Sequence, residues 1–449
     1  MEPAMTLIAS ASLEARHQLT PVPRALYLCY ALLLAATCYA QILPAETSQQ
    51  GLPNSCASFG NGFDDSADIH ALDDYKAAIG QLVQKEDFKQ LDCIADITRS
   101  KKMRFAGGMW QLHSFYAGVS GLQGHATEED WKDLQTHLER WVSEKPQSIT
   151  ASVALAKFYV NDAWAARGNG MSNTVTGSGW KLFGQRMEKA KTILEQASAL
   201  HDKCPEWNVT MQNVALGLGW DARQHDDLLK QATTFAPDYY YFYRVQAEYL
   251  LPRWSGEDGD ASRFAQASAD RMGGDQGDML YFQIAGSIVC PCQEDEFQHM
   301  SWPRLQKGYA LLEKEYGASL TNLNLLALMA TKKRDSVVAD AAFKRIGDNW
   351  DEEAWSNEAF FNQNKAIAAQ LGALEARSRA LVEEAAANLQ KAGGLQYQKD
   401  VEQSISKWMQ QCVQDETDRT KFELMLQGQQ MAVHKTHGCL TPRRLATAC

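Results

Sequence analysis

From Ile69 onward the chain repeats apolar residues at intervals of three and four. Leu72, Tyr75, Ile79 and Leu82 form one series, and Phe88, Leu91, Ile94 and Ile97 a second. That spacing places each series on one face of a helix. The polar break "KEDF" between them predicts two helices joined as a hairpin. No strict apolar–polar alternation is sustained until "KFELMLQ" near the C-terminus, where Phe422, Leu424 and Leu426 alternate.

The hairpin pattern recurs in the manner of a tetratricopeptide unit, a pair of helices about 34 residues long. Pro146 precedes Leu155, Ala156 and Tyr159, with Leu134, Leu138 and Trp141 upstream. Pro205 precedes Met211, Val214, Ala215 and Leu218, with Ala190, Leu194 and Ala197 upstream. Pro237 precedes Tyr243, Ala247 and Leu250, with Leu229 and Ala232 upstream. A later unit holds Leu326 and Ala327, then Ala339, Phe343 and Ile346. Small residues fall where two helices must approach closely, and prolines fall at helix ends, where a missing N–H costs little. The expected fold is all-α, an α-α superhelix of TPR-like helical hairpins.

Five aromatic residues run from Tyr239 to Tyr243. Each helical step turns about 100°, so they cannot share one face. Tyr239, Phe242 and Tyr243 fall with Gln246 on the face expected to pack on the preceding hairpin. Tyr240 and Tyr241 point elsewhere, at least one of them outward. Two readings stay open: core and helix-flank packing, or an aromatic strip on a concave groove, with Tyr240, Tyr241, Arg244 and Trp254 as the binding residues.

The segments "RFAGGMWQLHSFYAGV", "ITASVALAKFYVNDAWAARG", "SGWKLFGQRMEKAKTILEQA", "YYYFYRVQAEYLLPRWSGEDGD" and "SWPRLQKGYALLEKEYG" resemble a bacterial domain-of-unknown-function family with tetratricopeptide-like helices. The likeness runs from about Leu72 to about Ala369. Its pattern matches Phe105, Gly108, Trp110, Leu112, Phe115 and Tyr116. The resemblance implies an all-helical fold and brings no defined activity or catalytic residues.

Composition narrows the partners. The 449 residues carry 44 Lys and Arg against 55 Asp and Glu, a net charge of −11 with no basic block. That balance argues against nucleic acid and anionic membrane surfaces, and leaves a protein or peptide as the expected partner. Near the N-terminus, Arg24 precedes an uncharged stretch from Ala25 to Ala40 whose apolar centre has the length of a signal-peptide core. Residues 1–40 are therefore expected to be a signal peptide, cleaved after Ala40, with a retained anchor as the alternative. The expected location is periplasmic or secreted. Ten cysteines, less Cys29 and Cys38 in the signal, leave eight, which an oxidising compartment would allow to pair.

The polar, Gly- and Ser-rich stretch from Glu46 to Asp68 reads as part of a linker over residues 41–68. Residues 69–370 form the repeat domain. Residues 371–449 hold an amphipathic helix closed by glycines and a small, incomplete C-terminal α+β segment.

Candidate chemistry is sparse. Cys290, Cys292 and His299 are weak metal candidates, since thiolates suit soft metals but a fourth ligand is missing. His434, His437 and Cys439 in the tail would lie one turn apart if helical, and Glu257, Asp258 and Asp260 sit in a Gly-rich loop without the offsets of a calcium loop. No nucleophile elbow, zinc-protease motif, phosphate loop or dinucleotide fingerprint occurs, so no cofactor and no catalytic residue is assigned. The expected function is a non-enzymatic scaffold that binds a protein or peptide in a helical-repeat groove. The alternative is a carbohydrate-active enzyme on an (α/α) toroid using paired carboxylates; its twelve tryptophans and the acids Glu128, Glu129 and Asp130 would suit that role.

Overall fold

A computed structural model describes residues 54–391, apart from 123–125, 169–171 and 290–294. Among the described residues every regular element is helical, and the only extended pairing is an isolated bridge between Arg104 and Trp110. The all-α expectation therefore holds. The predicted strand around Phe422 lies outside the described residues.

Fifteen helices of nine residues or more follow in order. They are α1 (Ala71–Gln84), α2 (Phe88–Ser100), α3 (Gln111–Ser120), α4 (Glu128–Glu144) and α5 (Ile149–Arg167). Next come α6 (Gly177–Ala197), α7 (Pro205–Leu218), α8 (Ala222–Phe235), α9 (Tyr241–Tyr249) and α10 (Asp260–Met272). The last are α11 (Gly274–Ile288), α12 (Trp302–Tyr316), α13 (Leu320–Lys332), α14 (Ser336–Ile346) and α15 (Glu358–Lys391). Helix α15 runs unbroken across residue 370, where the sequence placed a domain edge.

Local chemistry sets the helix starts. The side chain of Asp87 accepts from the Gln90 N–H ahead of α2, and Ser148 caps α5 through Ala151. Thr127 and Asp130 form a reciprocal capping box on α4, and Asp221 and Gln224 form another on α8. Each such cap satisfies backbone donors that the first turn leaves without partners. Pro205 occupies the first turn of α7, and Gly219 ends that helix in the left-handed conformation.

From α3 to α14 the helices alternate in character. The odd members α3, α5, α7, α9, α11 and α13 are buried almost all round: from Ile149 to Trp164, α5 is buried except at Asn161. The even members are one-sided: α4 buries Leu134, Leu138 and Trp141, and α8 buries His225, Leu228 and Ala232. A helix covered on all sides is an inner element, and one with a single apolar stripe is an outer one.

The N-terminal part of unit α1–α3 also meets α12 and α13. The buried Asp65 carboxylate accepts from the Ser319 hydroxyl at 2.7 Å and the Thr321 N–H at 3.1 Å, and its carbonyl accepts from the Leu320 N–H at 3.0 Å. Gly107 donates to the Gly317 carbonyl at 3.1 Å and accepts from Asn322 at 2.9 Å. Gly107 has φ +66°, and a Cβ there would run into Asn322 and Ser319, so only glycine permits this approach. Cys56 is disulfide-bonded to Cys93 on α2. The described part of the expected linker, 54–68, is thus held against the helices at both ends.

Candidate functional site

The inner helices carry the chemistry. Glu206, in the first turn of α7, is fully buried. Its Oε1 accepts from Nδ1 of His113 (α3) at 2.6 Å and from the Tyr239 hydroxyl at 2.5 Å, and its Oε2 accepts from Nζ of Lys157 (α5) at 3.0 Å. Burial alone would raise this carboxyl, but His113, Lys157 and Tyr239 outweigh it and hold Glu206 down at about 2. Burial pushes His113 down to about 4. At neutral pH the imidazole is therefore neutral, donates through Nδ1, and keeps Nε2 as an acceptor that finds no partner among the described residues. The ring of His113 stacks on Tyr241 with centroids 3.5 Å apart.

The predicted binding residues separate into two places. Tyr240 and Tyr241 are both buried, with the Tyr240 hydroxyl donating to that of Tyr241 at 2.8 Å. An outward ring was expected here; His113 covers the Tyr241 face, and Trp110 packs on neighbouring Tyr239 at 4.6 Å. Arg244, half-buried, holds its guanidinium 5.9 Å from the Tyr241 ring centre and so joins this cluster. Trp254 packs edge-on to Trp164 at 5.8 Å instead. Phe242 and Tyr243 are buried with Gln246 as the helical geometry required.

The middle turns of four successive inner helices each expose one polar side chain in part: Asn161 on α5, Asn213 on α7, Arg244 on α9 and Gln283 on α11. On α3 the corresponding half-buried residue is Ala117. Asn161 donates to the Ser120 carbonyl at the end of α3 at 2.9 Å, and the Ser287 hydroxyl of α11 reaches the Arg244 carbonyl at 3.4 Å. Each of these half-buried polar positions lies on a helix that is otherwise largely apolar or sealed.

The remaining candidates do other work. His299 sits 3.0 Å from Asp258, while Cys290, Cys292, His434, His437 and Cys439 lie outside the described residues. Among the described residues no group of three or more His, Cys, Asp or Glu is placed to hold a metal. The Asp260 carboxylate accepts from the Glu257 N–H, and the buried Glu296 accepts from Gly259 and Ser262, so that loop is fastened by its own backbone. Glu128, Glu129 and Asp130 open α4, with Asp130 spent on the cap.

Sequence reasoning missed Glu206, Lys157 and His113. One signal was available: Lys157 is a lone charge inside "VALAKFYV", where an inner helix can keep a cation only beside a buried anion. No family model, curated protein or solved structure matches the chain.

Proposed function

We propose that this protein is a non-enzymatic binding scaffold, a superhelix of TPR-like hairpins that takes an extended segment of a protein or peptide partner along its inner lane. The observation that carries this reading is one partly exposed polar side chain in the middle turns of each of four successive inner helices, Asn161, Asn213, Arg244 and Gln283. Amide side chains offer both a donor and an acceptor, which suits peptide groups. Packed helices stand 8–10 Å apart and an extended chain rises about 3.3 Å per residue, so each helix would meet roughly every third residue of the segment.

The state of one fully buried acid, Glu206, does not suit it to glycoside hydrolysis. A general acid must hold a proton near neutral pH, whereas Glu206 is ionised and fully engaged by Lys157, His113 and Tyr239. The Cys56–Cys93 bond supports an oxidising location and hence export through the N-terminal segment. Among the described residues no helix is long and apolar enough to cross a membrane. The packing of Phe105, Trp110, Leu112, Phe115 and Tyr116 into one core is what kinship with the bacterial domain-of-unknown-function family would require.

The test is capture from envelope extract by the wild-type chain and by an Asn161→Ala, Asn213→Ala variant. A partner held by the first and lost by the second, with matching circular dichroism melts, is the expected result. Equal capture by both, or hydrolysis in a polysaccharide panel, would sink the reading.

A further inference from the structure

Residues 54–70 form a strap between helices from distant parts of the chain. Its first turn, Asn54–Ala57, carries Cys56, which is buried and bonded to Cys93 of α2. Phe59 and Phe63 then set their rings edge-on to Tyr75 of α1, at 5.9 and 5.5 Å. Gly60 passes so close to Gln111 of α3 that a Cβ there would meet its side-chain amide. Asp65 next takes hold of the start of α13 through Ser319, Leu320 and Thr321. At Ala71 the strap runs into α1.

The holds are unequal. The hold on α13 rests on Asp65. No cation pairs with that buried carboxylate among the described residues, and its Oδ1 accepts no hydrogen bond. Burial accordingly pushes the carboxyl up. A buried carboxylate regains lost hydration when it leaves, so this hold is easily given up. Around it the strap buries little else: Phe59 and Phe63 are half-buried, and Asn61, Gly62, Asp64 and Ser66 are exposed. Sparse apolar burial marks a segment that opens locally.

The disulfide is a hold of another kind. It keeps the strap's start beside α2 whatever happens at α13, so Asp65 returns to its partners as part of an arc tied at both ends. Without it the strap is an arm joined covalently at Ala71 alone. Cys93 is half-buried where Cys56 is buried, so Cys93 is the sulfur open to attack. A thiolate of an external dithiol bonds to the Cys93 sulfur, the S–S bond breaks, and Cys56 leaves as a thiolate that takes a proton from water. The second thiolate of the reductant then displaces Cys93, so the dithiol is oxidised to a disulfide as the protein gains two thiols.

We propose that the Cys56–Cys93 bond is a thiol-operated clasp: when a dithiol reduces it, the strap leaves α13 and the seam between α1–α3 and α13 loosens, while the inner helices stay folded.

Hydrogen exchange on the full-length chain, with and without dithiothreitol, tests this by mass spectrometry. Two peptides are compared, one spanning 319–322 and one spanning 209–212 in α7. Reduction should speed exchange of the Leu320 and Thr321 amides about ten-fold and leave α7 unchanged. Cys93→Ser should show the faster rate without reductant and gain nothing further from it. An unchanged rate at 319–322 in fully reduced wild type overturns the proposal. Equal acceleration in α7 also overturns it, because the bond would then stabilise the whole fold and not the strap. Further acceleration of Cys93→Ser by dithiothreitol would assign the effect to another disulfide and likewise overturn it. Should Cys93→Ser fail to fold, the wild-type comparison decides alone.

Discussion

The inner helices and the outer helices both carry Lys–Glu pairs and use them in opposite ways. On the outer helix α6, Lys191 pairs with Glu195 at 3.2 Å on a solvated face, where such a pair contributes little. On the inner helices, Lys157 and Glu206 pair at 3.0 Å out of contact with water. There, neither charge is tolerable without the other. The difference teaches that charge in this protein decides solubility outside and arrangement inside. The cluster fixes which faces of α3, α5, α7 and α9 meet, and it does so beside the lane that the partner is proposed to occupy.

The comparison breaks first at Glu206. Glu206→Ala leaves Lys157 buried and alone and should cost about 3–5 kcal/mol, while Glu128→Ala on outer α4 should stay within about 0.5 kcal/mol in urea unfolding. A Lys157→Met, Glu206→Leu pair should recover much of the loss, because it removes both charges together. Equal costs for Glu206→Ala and Glu128→Ala would end the distinction.

The aromatic run gives the next largest effect. Tyr243 is buried and donates to the Pro237 carbonyl at 3.0 Å, so Tyr243→Ala should cost about 3 kcal/mol or more. Ala247 is fully buried, and Ala247→Leu should cost roughly 1–3 kcal/mol by overpacking. Because Tyr240 and Tyr241 are buried too, their alanine variants should destabilise comparably, against the smaller cost that an outward ring would carry. Negligible melting shifts for Tyr243→Ala and Ala247→Leu would show the hairpin register to be wrong.

Acid sharpens the contrast. Burial lowers both His113 and His225 from 6.5 to about 4. The unfolded chain takes up these protons below about pH 6.5, and the folded chain only near pH 4, so stability should fall as pH drops through that window. His225 stacks on Tyr249 at 3.7 Å with neither ring nitrogen partnered among the described residues. His225→Phe should therefore flatten the fall measured between about pH 7 and pH 4.5 without weakening the protein at neutral pH. An unchanged pH profile would contradict the assignment. The smallest effect belongs to an outer cap: Thr127→Ala on α4 should cost about 1 kcal/mol in the same denaturation series.

Much of this fold could be read from residue spacing. Leu134, Leu138 and Trp141 announced a one-sided helix because an outer helix must show a stripe, and Pro205 announced a helix start because its ring excludes most other positions. The site was less legible. Glu206 follows Pro205 as acids in first turns commonly do, and nothing local reveals that α3 and α5 will close over it. Asp65 looked like one more polar residue in a glycine-rich stretch, since its partners lie 254 residues away. Asn161, Asn213, Arg244 and Gln283 share no motif; what they have in common is partial exposure on helices otherwise buried, which the sequence alone does not reveal.

That 254-residue reach of Asp65 alters how the protein comes apart. A linear array of hairpins frays from its ends, one unit at a time, because each unit touches only its neighbours. Here the first hairpins hold α13, and the bond between Cys56 and Cys93 fastens the segment that does so. The stretch from α1 to α13 is thereby tied at both ends, while α14 and α15 run on beyond it, so the tied hairpins are expected to melt together. Asp65→Ala would loosen that tie, and the unfolding curve should then divide into two steps.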